Sequence, residues 1–151
     1  MPIASLEEIH SKIGQSLGAS SWIEITQERI DAFANATEDR QFIHVDPELA
    51  RRTPFGATIA HGFLTLSLLS RMAADVMLVP ETTKMAVNYG LDRVRFLAPV
   101  PTGSFVRGFF TLKAVTEKAP GQLLLRHEVR VEIGGETKHA LLAEWLGLIF
   151  T

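Results

Sequence analysis

The hydrophobic period of this chain changes once, near residue 80, and that change limits the fold more than any other feature. Before it, the segment Gly62–Val79 is apolar on nearly every side and is stopped by Pro80. A helix of that character is covered on most sides rather than resting one face on a surface. After it, from Met85 onward, the period is two. Val106, Gly108, Phe110, Leu112 and Ala114 interleave with Arg107, Thr111 and Lys113. Leu123, Leu125, His127, Val129, Val131 and Ile133 interleave with Arg126, Glu128, Arg130 and Glu132. Such alternation marks strands with one buried face. Gly134-Gly135 is a two-residue hairpin signal into a last strand, Lys138–Phe150, apolar on both faces and so expected to be central. Long hairpin-linked strands pair antiparallel. One buried helix and one long antiparallel sheet predict an α+β fold, the sheet curled around the helix.

The first half of the chain reads helical. Thr26 is an N-cap candidate with Glu28 in the first turn, and Ile30, Phe33, Ala34 and Thr37 recur at helical spacing. Asp46-Pro47 is a second start signal, an N-cap followed by Pro at N1. There is no repeat, low-complexity tract or linker, so residues 1–151 are expected to form one domain. At that size a chain buries roughly 70% of its unfolded surface, and 46% apolar residues supply the core.

Composition also removes function classes. Zero cysteines exclude disulfides, thiolate metal sites and a Cys nucleophile. With a formal charge of −2 and no run of Lys or Arg, a nucleic-acid partner is not expected. Within the apolar segment, Arg71 and Asp75 sit four apart on one helical face, too costly for hydrocarbon, so no membrane span is expected. The N-terminal run MPIASLEEIHSK lacks the basic and apolar regions of a signal peptide, which predicts a cytoplasmic protein. No Gly-rich phosphate loop and no Gly-x-Ser-x-Gly elbow is present, so nucleotide, hydride and serine-acyl chemistry lack their signatures. No two histidines have the i, i+4 spacing of a helical metal site, and neither metal nor cofactor is expected. His10, His127 and His139 read as ordinary surface or core residues. Phe33, Phe63, Phe109, Phe110 and Trp145 read as core rather than as a cofactor box.

Titratable and turn residues concentrate between two helical signals, in Ala36-Thr37-Glu38-Asp39-Arg40-Gln41-Phe42-Ile43-His44-Val45-Asp46-Pro47. Asp39 and His44 are five apart, which places them on different helical faces, but a loop that turns back lets both reach one water. A carboxylate and an imidazole on one water form a general acid–base pair. The bland alternative is a turn-capping Asp39 and a solvated His44. A second segment, Ala60-His61-Gly62-Phe63, runs into the buried helix. Gly at a helix start lets a ligand oxygen reach free N–H groups, the arrangement that stabilises an oxyanion. Close helix–sheet packing is the bland alternative for Gly62, with His61 capping or packing.

Together the two segments resemble the MaoC-like (R)-specific enoyl-CoA hydratases, nearest their NodN-like branch. The family pattern Asp-x-Asn-Pro-x-His-x-Asp stands here as Asp39-Arg40-Gln41-Phe42-Ile43-His44-Val45-Asp46. The likeness continues through Ala60-His61-Gly62, Asn88-Tyr89-Gly90, Val94-Arg95-Phe96-Leu97-Ala98-Pro99-Val100 and Gly103. It implies the hot-dog fold, with Asp39 and His44 as the catalytic dyad and Gly62 N–H on the thioester oxygen. It places His61, Gln41 and Ser70 at the substrate, Ser70 as a polar residue near the dyad. The implied reaction is reversible hydration of a trans-2-enoyl-CoA, the dyad supplying about 10²–10⁴-fold. Gln41-Phe42 departs from the pattern's Asn-Pro and loses a fixed φ. Two other readings stand beside it: a hot-dog thioesterase directing water at the carbonyl carbon, and a non-catalytic acyl-thioester binder. The resemblance further implies an acyl-CoA partner and a homodimer built edge to edge. A long apolar last strand left at a sheet edge would favour such pairing.

Overall fold

The computed structural model describes residues 1–151. In chain order it runs β1 (Ile3–Ala4), α1 (Leu6–Ser11), β2 (Ser16–Ala19), β3 (Ile23–Glu24), α2 (Gln27–Thr37), α3 (Phe42–Val45) and α4 (Pro47–Ala50). It continues with α5 (Gly62–Ser67), α6 (Leu69–Val76), β4 (Val79–Pro80), β5 (Met85–Phe96), β6 (Phe105–Ala119), β7 (Gln122–Ile133) and β8 (Leu141–Phe150). The main sheet has the order β2-β6-β7-β8-β5, all antiparallel, with β3 also on β6. It wraps α5 and α6. Leu64, Leu68, Leu69, Met72 and Ala73 pack against Phe110, Val129, Val131 and Trp145 in one core. The α+β architecture is therefore as expected.

The predicted caps form. Thr26 Oγ1 accepts from Arg29 N at 3.2 Å, and Asp46 Oδ1 accepts from Glu48 N and Leu49 N at 3.0 Å each. These bonds satisfy donors that a helix start leaves free.

Four details differ from expectation. The buried helix is two segments meeting at Leu68, whose φ −67° and ψ −12° stay helical, and it ends at Val76 rather than Val79. Pro80 pushes the residue before it out of helical space, and Val79–Pro80 pairs in parallel with Ile3–Ala4 instead. The helix is not covered all round: Phe63, Ser67, Ser70, Arg71 and Ala74 form an exposed stripe. One sheet shields one side of a helix, and the other side needs a second layer. Gly134-Gly135 do turn the chain, Glu136 N donating to the Ile133 carbonyl at 3.1 Å, but no two-residue hairpin follows: the ladder ends with Val131 opposite Leu141, and β8 starts at Leu141, not Lys138. Ala140 bonds to both neighbours just before β8, its N–H donating to the Val131 carbonyl and its carbonyl accepting from Leu97 N, each at 2.8 Å. Finally, the aromatic residues divide: Phe110 and Trp145 are core, but Phe63 is 68% exposed, and Phe109 lies on the outer face under Arg107 and Arg130.

The last strand is central, between β7 and β5, so it is not the edge that would invite a partner. That edge is β5, twelve residues long, with Met85, Val87, Tyr89, Leu91 and Phe96 all exposed.

Candidate active site

The loop between α2 and α3 is fixed from three sides. At its start Glu38 takes the left-handed conformation, φ 62°, and turns the chain sharply out of α2. From α2, Gln27 Nε2 donates to the His44 carbonyl at 2.8 Å, and Gln27 Oε1 accepts from Thr58 Oγ1. From the strand-like segment before α5, Ile59 N donates to the Ile43 carbonyl at 3.0 Å. Gln27, Thr58 and Ile59 carry no catalytic chemistry of their own, so no sequence motif singles them out.

His44 is buried, 7% exposed, and its Nδ1 lies 2.7 Å from the Ile59 carbonyl. A carbonyl only accepts, so Nδ1 carries the hydrogen and neutral His44 keeps its lone pair on Nε2. Burial holds the His44 pKa below its usual 6.5, the Ile59 bond opposes this, His61 lowers it further and Asp39 raises it. The ring is thus neutral at pH 7 and set up as a proton acceptor. Asp39 is exposed. One donor atom each from Asp39, His44 and His61 fall within 4.8 Å of one another. That is a span one water bridges at about 2.8 Å from each side.

His61 is the third member of this group, and its Nδ1 is buried without a hydrogen-bond partner. It is 3% exposed, its ring stacks on His44 at 3.8 Å and 25°, and Phe33 packs on it at 5.0 Å. Its Nε2 donates to the Asp39 carbonyl at 2.9 Å. His61 therefore holds both Asp39 and His44, one through its main chain and one through its ring. Two histidines and a carboxylate at this distance also have the composition of a metal site, which spacing along one helix does not reveal. Stacked imidazoles, however, direct their in-plane lone pairs side by side rather than toward one point, which is poor coordination geometry.

A cavity of about 320 Å³ opens beside His44. Gly62, Thr65, Phe96, Ala98 and Val100 line it. The Gly62 N–H has no backbone acceptor. A Cβ at Gly62 would stand 3.1 Å from the Phe96 ring, so the glycine permits close approach of helix and strand as well as leaving its amide open. Thr65, 2% exposed and one turn along, is a polar lining residue without a motif of its own.

Of the residues singled out in the sequence, Asp39, His44 and Gly62 come together. Gln41 sits at the N-cap of α3, where its carbonyl accepts from His44 N at 2.9 Å and its own N–H donates weakly to Asp39 Oδ1 at 3.4 Å. It shapes the loop and does not line the cavity. Ser70 lies elsewhere, beside Asn88 Nδ2 at 3.5 Å, lining a separate hollow with Leu66, Tyr89 and Trp145. More than two helical turns separate it from Gly62, which places it well along the helix from the dyad.

A family model for the MaoC like domain matches residues 8–131. The chain belongs to the MaoC-like dehydratase family. Nodulation protein N of Rhizobium leguminosarum bv. viciae is 53% identical over 146 residues, spanning 96% of this chain and 91% of that protein. The 3-hydroxyacyl-thioester dehydratase Z of Mycobacterium tuberculosis is 46% identical over 140 residues, spanning 93% and 92%. Among solved structures, the (R)-hydratase from A. caviae involved in PHA biosynthesis superposes with a TM-score of 0.72 at 25% identity, covering 89% of this chain and 94% of that one. This MaoC-like dehydratase is thus a hydro-lyase with the hot-dog fold. No helix in it is long and apolar enough to cross a membrane.

Proposed function

We propose that this MaoC-like dehydratase adds water reversibly to trans-2-enoyl-CoA thioesters, giving (R)-3-hydroxyacyl-CoA. The observation that carries the reading is neutral His44, its Nε2 free, lining an apolar cavity together with Gly62 and its unpaired N–H, with the Asp39 carboxylate close to the His44 ring. Water donates one hydrogen to Asp39 and one to His44 Nε2. As its oxygen bonds the β-carbon, His44 takes that proton and the electron pair of the double bond moves toward the carbonyl. The thioester oxygen gains charge and accepts from Gly62 N–H, which is worth a few kcal/mol in a site that excludes water. His44 then returns the proton to the α-carbon from the same face. Dehydration is the reverse.

A second copy of the chain completes the working unit in this reading. The open edge of β5, the exposed stripe of α5 and α6, and the apolar side chains between them lie on one side of the molecule. A long uncovered edge with this much apolar surface favours pairing into one continuous sheet. Light scattering should show a dimer, and a monomer at micromolar concentration would remove this part of the proposal.

The chemical test follows crotonyl-CoA by loss of enoyl absorbance and, separately, by release of free thiol. Hydration without thiol release is expected. Asp39→Asn and His44→Ala should each lower kcat by at least about 10²-fold with the fold intact by circular dichroism. Thiol release without hydration would make the protein a thioesterase instead, and wild-type turnover in either variant would remove that residue from the chemistry.

A further inference from the structure

A second cleft, of about 440 Å³, lies on the outer face of the sheet. It adjoins the dyad cavity through consecutive residues. Arg95 precedes Phe96 and His139 precedes Ala140, and Phe96 and Ala140 line the dyad cavity while Arg95 and His139 line this cleft. The register sets out its charges in two rows. Arg93, Glu144 and Glu128 stand opposite one another across β5, β8 and β7. Arg95, Leu142 and Arg130 form the next row. Residues directly opposite on neighbouring strands share a face, so each row presents its side chains together.

The two rows differ in neutralisation. In the first, Glu144 is paired with Arg93 at 3.7 Å and Arg126 at 3.2 Å, and Glu128 with Lys113 at 3.9 Å. In the second, neither arginine meets a carboxylate. Arg95 Nη1 donates only to the Val94 carbonyl at 2.8 Å, and Arg130 lies over the Phe109 ring at 4.9 Å. Two uncompensated guanidinium groups flank one exposed leucine, their backbones about 10 Å apart, with His139 beside them. Guanidinium forks are matched to phosphate oxygens, and a ring beneath Arg130 holds its plane in place. Edge pairing would engage the main chain of β5 and leave this outer face open.

We propose that Arg95 and Arg130, with His139, bind the phosphates at the nucleotide end of an acyl-CoA, and that the carrier is therefore CoA rather than an acyl carrier protein. This rests on the thioester reading of the dyad cavity. The pantetheine arm runs from that cavity past Phe96 and Ala140 to the outer face. A nucleotide carrying several phosphates can meet both arginines, whereas the single phosphodiester of a carrier protein can meet one.

The test compares crotonyl-CoA with crotonyl-pantetheine, which lacks phosphate, for wild type, Arg95→Gln and Arg130→Gln. Each substitution should raise KM for crotonyl-CoA about 10-fold, with the loss in KM rather than kcat, and leave KM for crotonyl-pantetheine unchanged. Calorimetry with adenosine 3′,5′-bisphosphate gives a readout independent of turnover. Binding should be salt-sensitive in wild type and lost in the double variant. Binding lost in that variant, with no hydration of any thioester, would uphold this subsite and defeat the hydratase reading. Hydration with equal KM in all forms would defeat the subsite and uphold the hydratase. A crotonyl thioester of acyl carrier protein used at lower KM than crotonyl-CoA would also overturn the assignment.

Discussion

His127 on β7 has no role in the chemistry proposed above, yet it makes the sharpest stability prediction in the molecule. It is 1% exposed, and neither ring nitrogen has a hydrogen-bond partner. Burial alone pushes its pKa down from 6.5 to about 4. The sign follows from which state binds the proton first. The unfolded chain protonates His127 below pH 6.5, while the folded chain resists until about pH 4. Stability is therefore complete above pH 6.5, declines as pH falls between those values, and levels off below about 4. Between about pH 7.5 and about pH 4.5 this one group removes about 2.5 kcal/mol. His127→Leu, of similar bulk, removes both the titration and the unpaired ring nitrogens, whose burial costs about 1–3 kcal/mol. The variant should be at least as stable as wild type at about pH 7.5, and its loss of stability on acidification should be smaller by about 2.5 kcal/mol. Urea unfolding at both pH values and one protein concentration, followed by tryptophan fluorescence, measures this directly, since Trp145 is the cross-strand neighbour of His127. His44 also loses stability in acid, but it is present in both proteins and cancels in the difference. Equal acid sensitivity in the two proteins would refute a neutral buried imidazole at 127.

If His44 is the base as proposed, its lowered pKa sets the acid limb of activity, because a base acts only when unprotonated: kcat/KM should be flat above pH 6.5 and fall below it. His61→Phe keeps the stacked ring but removes the imidazole that helps lower His44, so the limb should move to higher pH, with kcat down about 10-fold as Asp39 loses its main-chain anchor. An unmoved pH limb would reduce His61 to packing alone. Gly62→Ala brings a Cβ to 3.1 Å from the Phe96 ring, so this cavity-lining ring must shift and kcat/KM should fall about 10-fold. Adding Phe96→Leu should recover most of that loss, and a strictly additive double variant would refute the clash.

The parts of the fold written in period and capping were legible in the sequence. The β6 and β7 alternation, the Thr26 and Asp46 caps and the central last strand are all local patterns of residues one to four apart. What the sequence concealed is set by long-range contacts. The early end of α6 depends on an N-terminal strand more than seventy residues away, pairing Ile3 with Val79. The exposed stripe of the helix depends on how many layers cover it, which the hydropathy of Gly62–Val79 does not encode. At the site, the motif marked His44 and Gly62, which line the cavity, and Asp39, whose carboxylate lies beside His44. It also named His61 and Gln41, which hold the loop here, and Ser70, which lies along the helix at another hollow. Gln27 and Ile59 were missed because any residue with the right backbone or amide reach could serve.

These supports also explain why Gln41-Phe42 can stand where the family pattern has Asn-Pro. A proline there would pre-set one φ angle. In this chain the same loop is tied by bonds from Gln27 on α2 and from Ile59 and His61 on the segment before α5, so its shape does not depend on that angle. The site remains compatible with proline. Gln41 has φ −58° and ψ 136°, the extended conformation required before proline. Phe42 is the first residue of α3, its N–H has no backbone acceptor, and its ring is 43% exposed. Phe42→Pro thus breaks no hydrogen bond and forfeits little burial, while restricting the unfolded chain. It should leave kcat within about twofold and raise stability by about 0.5 kcal/mol or more, read by urea unfolding beside crotonyl-CoA hydration. A loss of activity with the fold intact would mean that the Phe42 ring, rather than the hydrogen bonds behind it, holds Asp39 and His44 in register.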